Sequence, residues 1–135
     1  MTGDSEQLEP GRAAFNRGEY FLAHELWEEA WRQVTDAGRR LYVQGLIQIA
    51  AGLHHLQQHR AAPAARLLRK GLEKLSRSLE RRPEREEAEG SGDRVRGDRL
   101  ASQVTRLLVE LEAPSVDGTE RTEVTAAADF GHLKL

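Results

Sequence analysis

Five side chains in this sequence combine titratable or amide chemistry with helical spacing: His24, Glu28, Gln44, Gln48 and His55. His24 and Glu28 stand four apart, about one turn of an α-helix. Gln44, Gln48 and His55 stand at i, i+4 and i+11, within about 40° of one another on a helical wheel. An imidazole beside a carboxylate can hold or move a proton, and either group can ligate a metal. If the two stripes face each other across a helix–helix interface, three chemistries are open. The first is a satisfied buried polar network, which rigidifies a core. The second is a divalent-metal site in which His24, Glu28 and His55 supply three ligands and leave a coordination position free. The third is a small-molecule pocket or a hydrolase-like acid–base site using His24 or His55 with Glu28. The segment HELWE, residues 24–28, departs from the H-E-x-x-H zincin motif, because Glu28 stands where the second His belongs.

These residues need helices to position them. Leu41 to Leu56 reads LYVQGLIQIAAGLHHL, with no formal charge, in a chain that is 31% charged. Its apolar residues surround almost the whole helical cylinder, which predicts a buried central helix over about residues 39–58. Gly45 and Gly52 mark an adjacent line where another helix can come close. Before it, Tyr20, Ala23, Trp27, Ala30, Trp31 and Val34 recur with helical period and predict an amphipathic helix over 19–34. On that wheel apolar residues, Phe21 among them, bracket His24 and Glu28, whereas Glu25 and Glu29 face solvent. Phe15, Trp27 and Trp31 are expected to wall the polar site off. His54 points about 100° away from His55, so the two are poorly placed to chelate one ion.

The rest of the chain supplies the frame. A first helix is expected over about 11–17, with a start as early as Ser5 open, ended by Gly18. A break near 59–63 precedes a helix running to about residue 80, with Ala64, Leu68, Leu72, Leu75 and Leu79 on its inner face. Nothing alternates with period two, so no strand is expected. The fold class is all-α: a compact bundle of four to five helices around the central one, its helix pairs loosely tetratricopeptide-like. Residues 1–82 form the expected helical core and 83–97, rich in charge, Gly and Pro, a flexible linker. Asp98 is placed to cap an additional amphipathic helix over 98–112, and 113–135 is expected to be a disordered tail.

Composition excludes several classes. The chain has 135 residues, a formal charge of -2 and no cysteine. Disulfides and thiol chemistry are therefore absent, in keeping with a cytoplasmic location. The first ten residues lack the pattern of a signal peptide, and the one long apolar run is shorter than the ~20 residues a membrane span needs. Arg66, Lys70, Lys74, Arg77 and Arg81 line one side of the fourth helix. Interleaved with Glu73 and Glu80, they read as a solvated face, so nucleic acid is disfavoured as a partner. Self-association stays open.

Two separated motifs carry a family resemblance. FNRGEYFLAHELWEEAWR (15–32), then QGLIQIAAGLHHL (44–56), followed by ARLLRKGLEKL (65–75), resembles the domain of unknown function 309 family. The likeness covers about residues 11–80. It implies a small all-helical protein of bacterial or plastid type, and no particular activity or cofactor. The signature positions it implies are Phe15, Asn16, Gly18, Tyr20, His24, Glu25, Glu28, Trp31, Gln44, Gly45, Gln48 and His55. Binding, if there is any, is therefore expected at His24, Glu25, Glu28, Trp31, Gln44, Gln48 and His55. Where the family often has Gly-Asn, this chain has His59-Arg60.

Overall fold

A glycine makes the first turn. The computed structural model describes residues 3–80 and 88–112. Helix α1 (Gly3–Asn16) ends where Gly18 takes φ 83°, a left-handed conformation that costs glycine nothing. The Glu19 amide then donates back to the Ala14 carbonyl at 2.9 Å, and α2 (Tyr20–Trp31) begins. Helix α1 starts well before residue 11. It runs through the exposed Pro10, at the loss of one backbone donor. Phe15 packs edge-on to Tyr20 and tilted against Trp27, with ring centroids 5.1 and 5.7 Å apart, which joins α1 to α2.

Asp36 caps α3 (Ala37–Gln57) by accepting from the Arg39 amide at 2.8 Å. The helix is buried around most of its girth, with Val43, Leu46, Ile49, Ala50 and Leu53 fully enclosed. Helix α2 covers one flank and α4 (Ala61–Glu80) the other. The α3–α4 crossing is close. A methyl at Gly45 would lie 2.9 Å from the Leu75 amide nitrogen and 3.0 Å from the Gly71 carbonyl oxygen. Two glycine-bearing backbones thus touch, as the spacing of Gly45 and Gly52 predicts for one of them. The turn between α3 and α4 places His59 at φ 62°, a conformation more easily held by the glycine seen in the related pattern.

Helix α5 (Ala88–Glu112) packs along α4 and reaches α1. It begins ten residues earlier than Asp98, so the linker expected over 83–97 is helical from residue 88 onward. The reason is local: Gly97 is buried against Tyr42 and Leu79 and offers no apolar side chain for a periodicity count to find. Leu100, Val104, Leu107, Leu108 and Leu111 form the buried face, as their spacing predicts. Residues 81–87 and the expected tail 113–135 lie outside the described residues.

Each helix packs on the next, and among the described residues there is no strand. The described residues form an all-α bundle of five helices. The C-terminus of α3 meets the α1–α2 turn, where the Gln57 side chain donates to the Gly18 carbonyl at 2.9 Å. Glu112, the last residue of α5, pairs with Arg69 in the third turn of α4. The start of α2, the end of α3 and the start of α4 share one end of the bundle, and α5 ends alongside α4. Among the described residues, no helix is long and apolar enough to cross a membrane.

Candidate functional site

The residues that the sequence singles out divide between two faces of α3. On the α2 side, His24 Nε2 lies 3.5 Å from Glu28 Oε2 across one helical turn, at the outer limit of a hydrogen bond. The His24 side chain is 23% exposed and that of Glu28 47%. Glu28 is thus at the surface, contrary to the expectation that apolar neighbours enclose it. Phe21, expected to be one of those neighbours, is itself 50% exposed, and Leu22 is 39% exposed. Glu25 is exposed as well.

On the other side of α3, Gln48 turns toward α4. Its Oε1 accepts from Lys74 Nζ at 3.1 Å. Gln44 is half-buried on the same stripe. His55 is half-buried near Arg60 and Arg66. Burial, then the positive charges of Arg60, His54 and Arg66, hold its pKa below the usual 6.5. The physical cause of the division is the glycine line. Gly45 and Gly52 seat α4 directly against α3, and the polar stripe beside them goes with α4.

The polar contacts of the two stripes run separately: His24 meets Glu28, and Gln48 meets Lys74. Among the described residues, His24 Nδ1 and His55 Nδ1 are buried and have no hydrogen-bond partner. No group of three or more His, Asp or Glu side chains among the described residues is placed to hold a metal ion, so His24, Glu28 and His55 do not assemble as a ligand set. The aromatic wall is also placed differently. Trp27 is buried against α1 and donates from Nε1 to the Leu8 carbonyl at 3.1 Å. Trp31 is clamped by Arg40, whose guanidinium carbon lies 3.8 Å from the ring centroid. The same guanidinium donates to the Trp31 and Val34 carbonyls at 3.2 and 2.8 Å, closing the C-terminal end of α2. Among the described residues, the Trp31 Nε1 is buried and has no hydrogen-bond partner.

One cluster does cross from α2 to α3, and it uses a residue that the wheel set aside. The Phe21 ring stacks on His24 at 5.8 Å and 21°, and meets His54 at 5.1 Å. The 100° that separates His54 from His55 is what turns His54 toward α2 while His55 goes to α4. The sequence signal for this was present: Phe21 and Leu22 are adjacent, so one helix face cannot bury both with Tyr20.

Among the described residues the architecture is an all-α bundle of five helices with an aromatic–histidine surface at one end and no gathered metal cluster. Residues 8–67 match the model of the domain of unknown function DUF309, a similarity that covers under half of the chain. The match takes in His24, Glu28, Gln44, Gln48, His54 and His55, and leaves most of α4 and all of α5 outside. A similar protein is the uncharacterised protein YpuF of Bacillus subtilis strain 168, 38% identical over 50 residues. Those residues are 37% of this chain and 29% of that protein, so the likeness spans under a third of the relative's length. No solved structure matches the chain.

Proposed function

We infer that this chain is a non-catalytic binding domain, and that the α2 face carrying Phe21, Leu22, His24, Glu25 and Glu28, with His54 beside it, is its contact surface. The observation that supports this reading is the exposure of Phe21 and Leu22, two large apolar side chains side by side at 50% and 39%. A contiguous apolar patch rimmed by polar groups is the usual signature of a contact site. Histidines and carboxylates around it supply hydrogen bonds and orientation, and the carboxylates of Glu25 and Glu28 favour a partner that brings a donor or a cation.

The competing reading, an acid–base or metal-dependent hydrolase using His24, Glu28 and His55, lacks the convergence it needs. General acid–base work requires the groups within hydrogen-bond reach of one substrate proton, whereas His55 shares the stripe of Gln48, which pairs with Lys74 of α4. The test is a turnover screen of the full chain on ester, phosphoester and amide substrates, with and without divalent metals. The binding reading predicts that any trace activity survives both His24→Ala and Glu28→Gln. Activity abolished by both substitutions, in variants that fold normally, would overturn it.

A further inference from the structure

Helices α2, α3 and α4 lie side by side, and one side of that layer is bare. The half-buried stripe of α3, formed by Gln44, Gln48, Ala51 and His55, stands on this side. Tyr42, which α5 meets at Gly97, points about 150° away from the stripe on the helical wheel, so α5 packs on the opposite side. Helix α1 reaches α5 there. Phe21 against His54 marks the α2 edge of the bare side, and Lys74 on Gln48 marks the α4 edge. The two edges are opposite in charge. Helix α2 presents the exposed Glu25 and Glu28, and α4 presents the exposed Arg66 and Lys70 with Lys74 beside them. Among the described residues Glu25, Arg66 and Lys70 make no ion pair. Glu73, next to the basic edge, is paired with Arg77.

We propose that the partner of this face is a second copy of the chain, the α2 edge of each copy meeting the α4 edge of the other about a two-fold axis parallel to α3. This pairing rests on the preceding reading of α2 as a contact surface and names its occupant. The symmetry follows from the charges. An axis along α3 carries each acidic edge onto a basic one and the two α3 stripes onto each other, whereas a two-fold axis across the helices would set acid on acid. Rotation about an axis along α3 leaves height in the bundle unchanged, and α2 and α4 start at the same end. Counted from Tyr20, Glu25 and Glu28 stand about 7.5 and 12 Å along α2. Counted from Ala61, Arg66 and Lys70 stand about 7.5 and 13.5 Å along α4. Acid and base therefore meet at matching heights, twice over. Phe21 comes level with the half-buried Pro63. At the axis, the amide of Gln44 and that of its two-fold mate each offer a donor and an acceptor, so they pair reciprocally. The small Ala51 lets the two α3 helices approach. Three helices wide, the face measures about 28 by 20 Å in outline, on the scale of the roughly 800 Å² per partner of a standard interface. A nucleic acid on the basic edge would also cross the carboxylates of α2.

The test is sedimentation equilibrium of the intact chain and of two charge reversals. The unaltered chain should form a reversible two-copy species whose Kd rises with salt. Glu28→Lys and Lys70→Glu lie at exposed positions, and the symmetry counts each of them twice. Each alone should raise Kd by about tenfold or more, with helical content by circular dichroism unchanged. Mixing the two variants in equal amounts should restore the two-copy species, because in the mixed pair both contacts again join an acid to a base. A chain that stays monomeric up to about 1 mM would overturn the proposal. So would open-ended assembly, a dimer indifferent to both reversals, or weakening by both without recovery on mixing. A monomeric chain that still forms discrete cross-links to other proteins from α2 removes this pairing and leaves the contact-surface reading standing; a monomer with no such cross-links removes both.

Discussion

Substituting Gly45 by alanine tests the packing that divides the polar residues. The added methyl would stand 2.9 Å from the Leu75 nitrogen, 3.0 Å from the Gly71 oxygen and 3.3 Å from the Leu75 Cα. All three are backbone atoms of α4, so no side chain can rotate away and the two helices must separate. Overpacking of this kind costs about 1–3 kcal/mol, and with only backbone to yield the upper end applies. Alanine at a helix interior recovers about 1 kcal/mol of propensity relative to glycine. The net loss is therefore about 2 kcal/mol, or a drop of about 8 °C in Tm for a chain of this size. Gly52→Ala is the control. Its methyl meets the Leu68 side chain at 2.9 Å and the Ala64 oxygen at 3.1 Å. Leu68 Cδ2 can rotate but its Cγ and the Ala64 carbonyl cannot, so Gly52→Ala should also destabilise, by less than Gly45→Ala, where every contact is backbone. Urea denaturation of both variants measures the difference. If Gly45→Ala is as stable as the unaltered chain, α4 does not sit against Gly45, and the placement of Gln48 and His55 on the α4 side fails with it.

Other perturbations follow from the same geometry. Replacing Arg40 by methionine keeps the stem over Trp31 but removes the hydrogen bonds to the Trp31 and Val34 carbonyls, and should cost about 1–2 kcal/mol by thermal melt; a neutral result would mean that α2 closes without it. His24→Ala should cost less than about 1 kcal/mol, because the Glu28 carboxylate left behind is half-exposed and takes water as its partner; a loss of several kcal/mol would restore the buried network. His55 should make stability fall on acidification. Its folded pKa is held below 6.5, so the unfolded chain takes up the proton first. Its contribution is complete above about 6.5 and is lost as pH drops toward and through the folded value. Denaturation midpoints of His55→Gln should be flatter than those of the unaltered chain across that window, and parallel curves would contradict the assignment.

Much of this fold is legible in the sequence, for reasons tied to particular residues. Leu41–Leu56 is apolar all round, and only a helix flanked on both sides can use such a surface. Gly18 announces a left-handed turn, and Leu100, Val104, Leu107, Leu108 and Leu111 announce the inner face of α5. The candidate site was less legible. A helical wheel gives the angle of each side chain about its own axis but not which neighbour lies at that angle. Gln48 and His55 could face α2 or α4, and the close approach of Gly45 to Gly71 decides for α4. The start of α5 was hidden because its early contact is made by Gly97, and a glycine adds nothing to an apolar count. Phe21 brackets His24 and Glu28 on the wheel because it is apolar, while its neighbour Tyr20 claims the buried side of that turn.

The claim that matters most for function is that the Phe21–Leu22 face, and not the surface in general, makes contacts. Photo-cross-linking in cells from position 22 tests it directly, with position 109 as the reference, since Val109 on α5 is 64% exposed and apolar yet has no histidine neighbour in ring contact. The account predicts discrete, reproducible cross-linked products from position 22, weakened by Phe21→Ser, and little above background from position 109. Equal yields from the two positions, or products from position 109 alone, would contradict it.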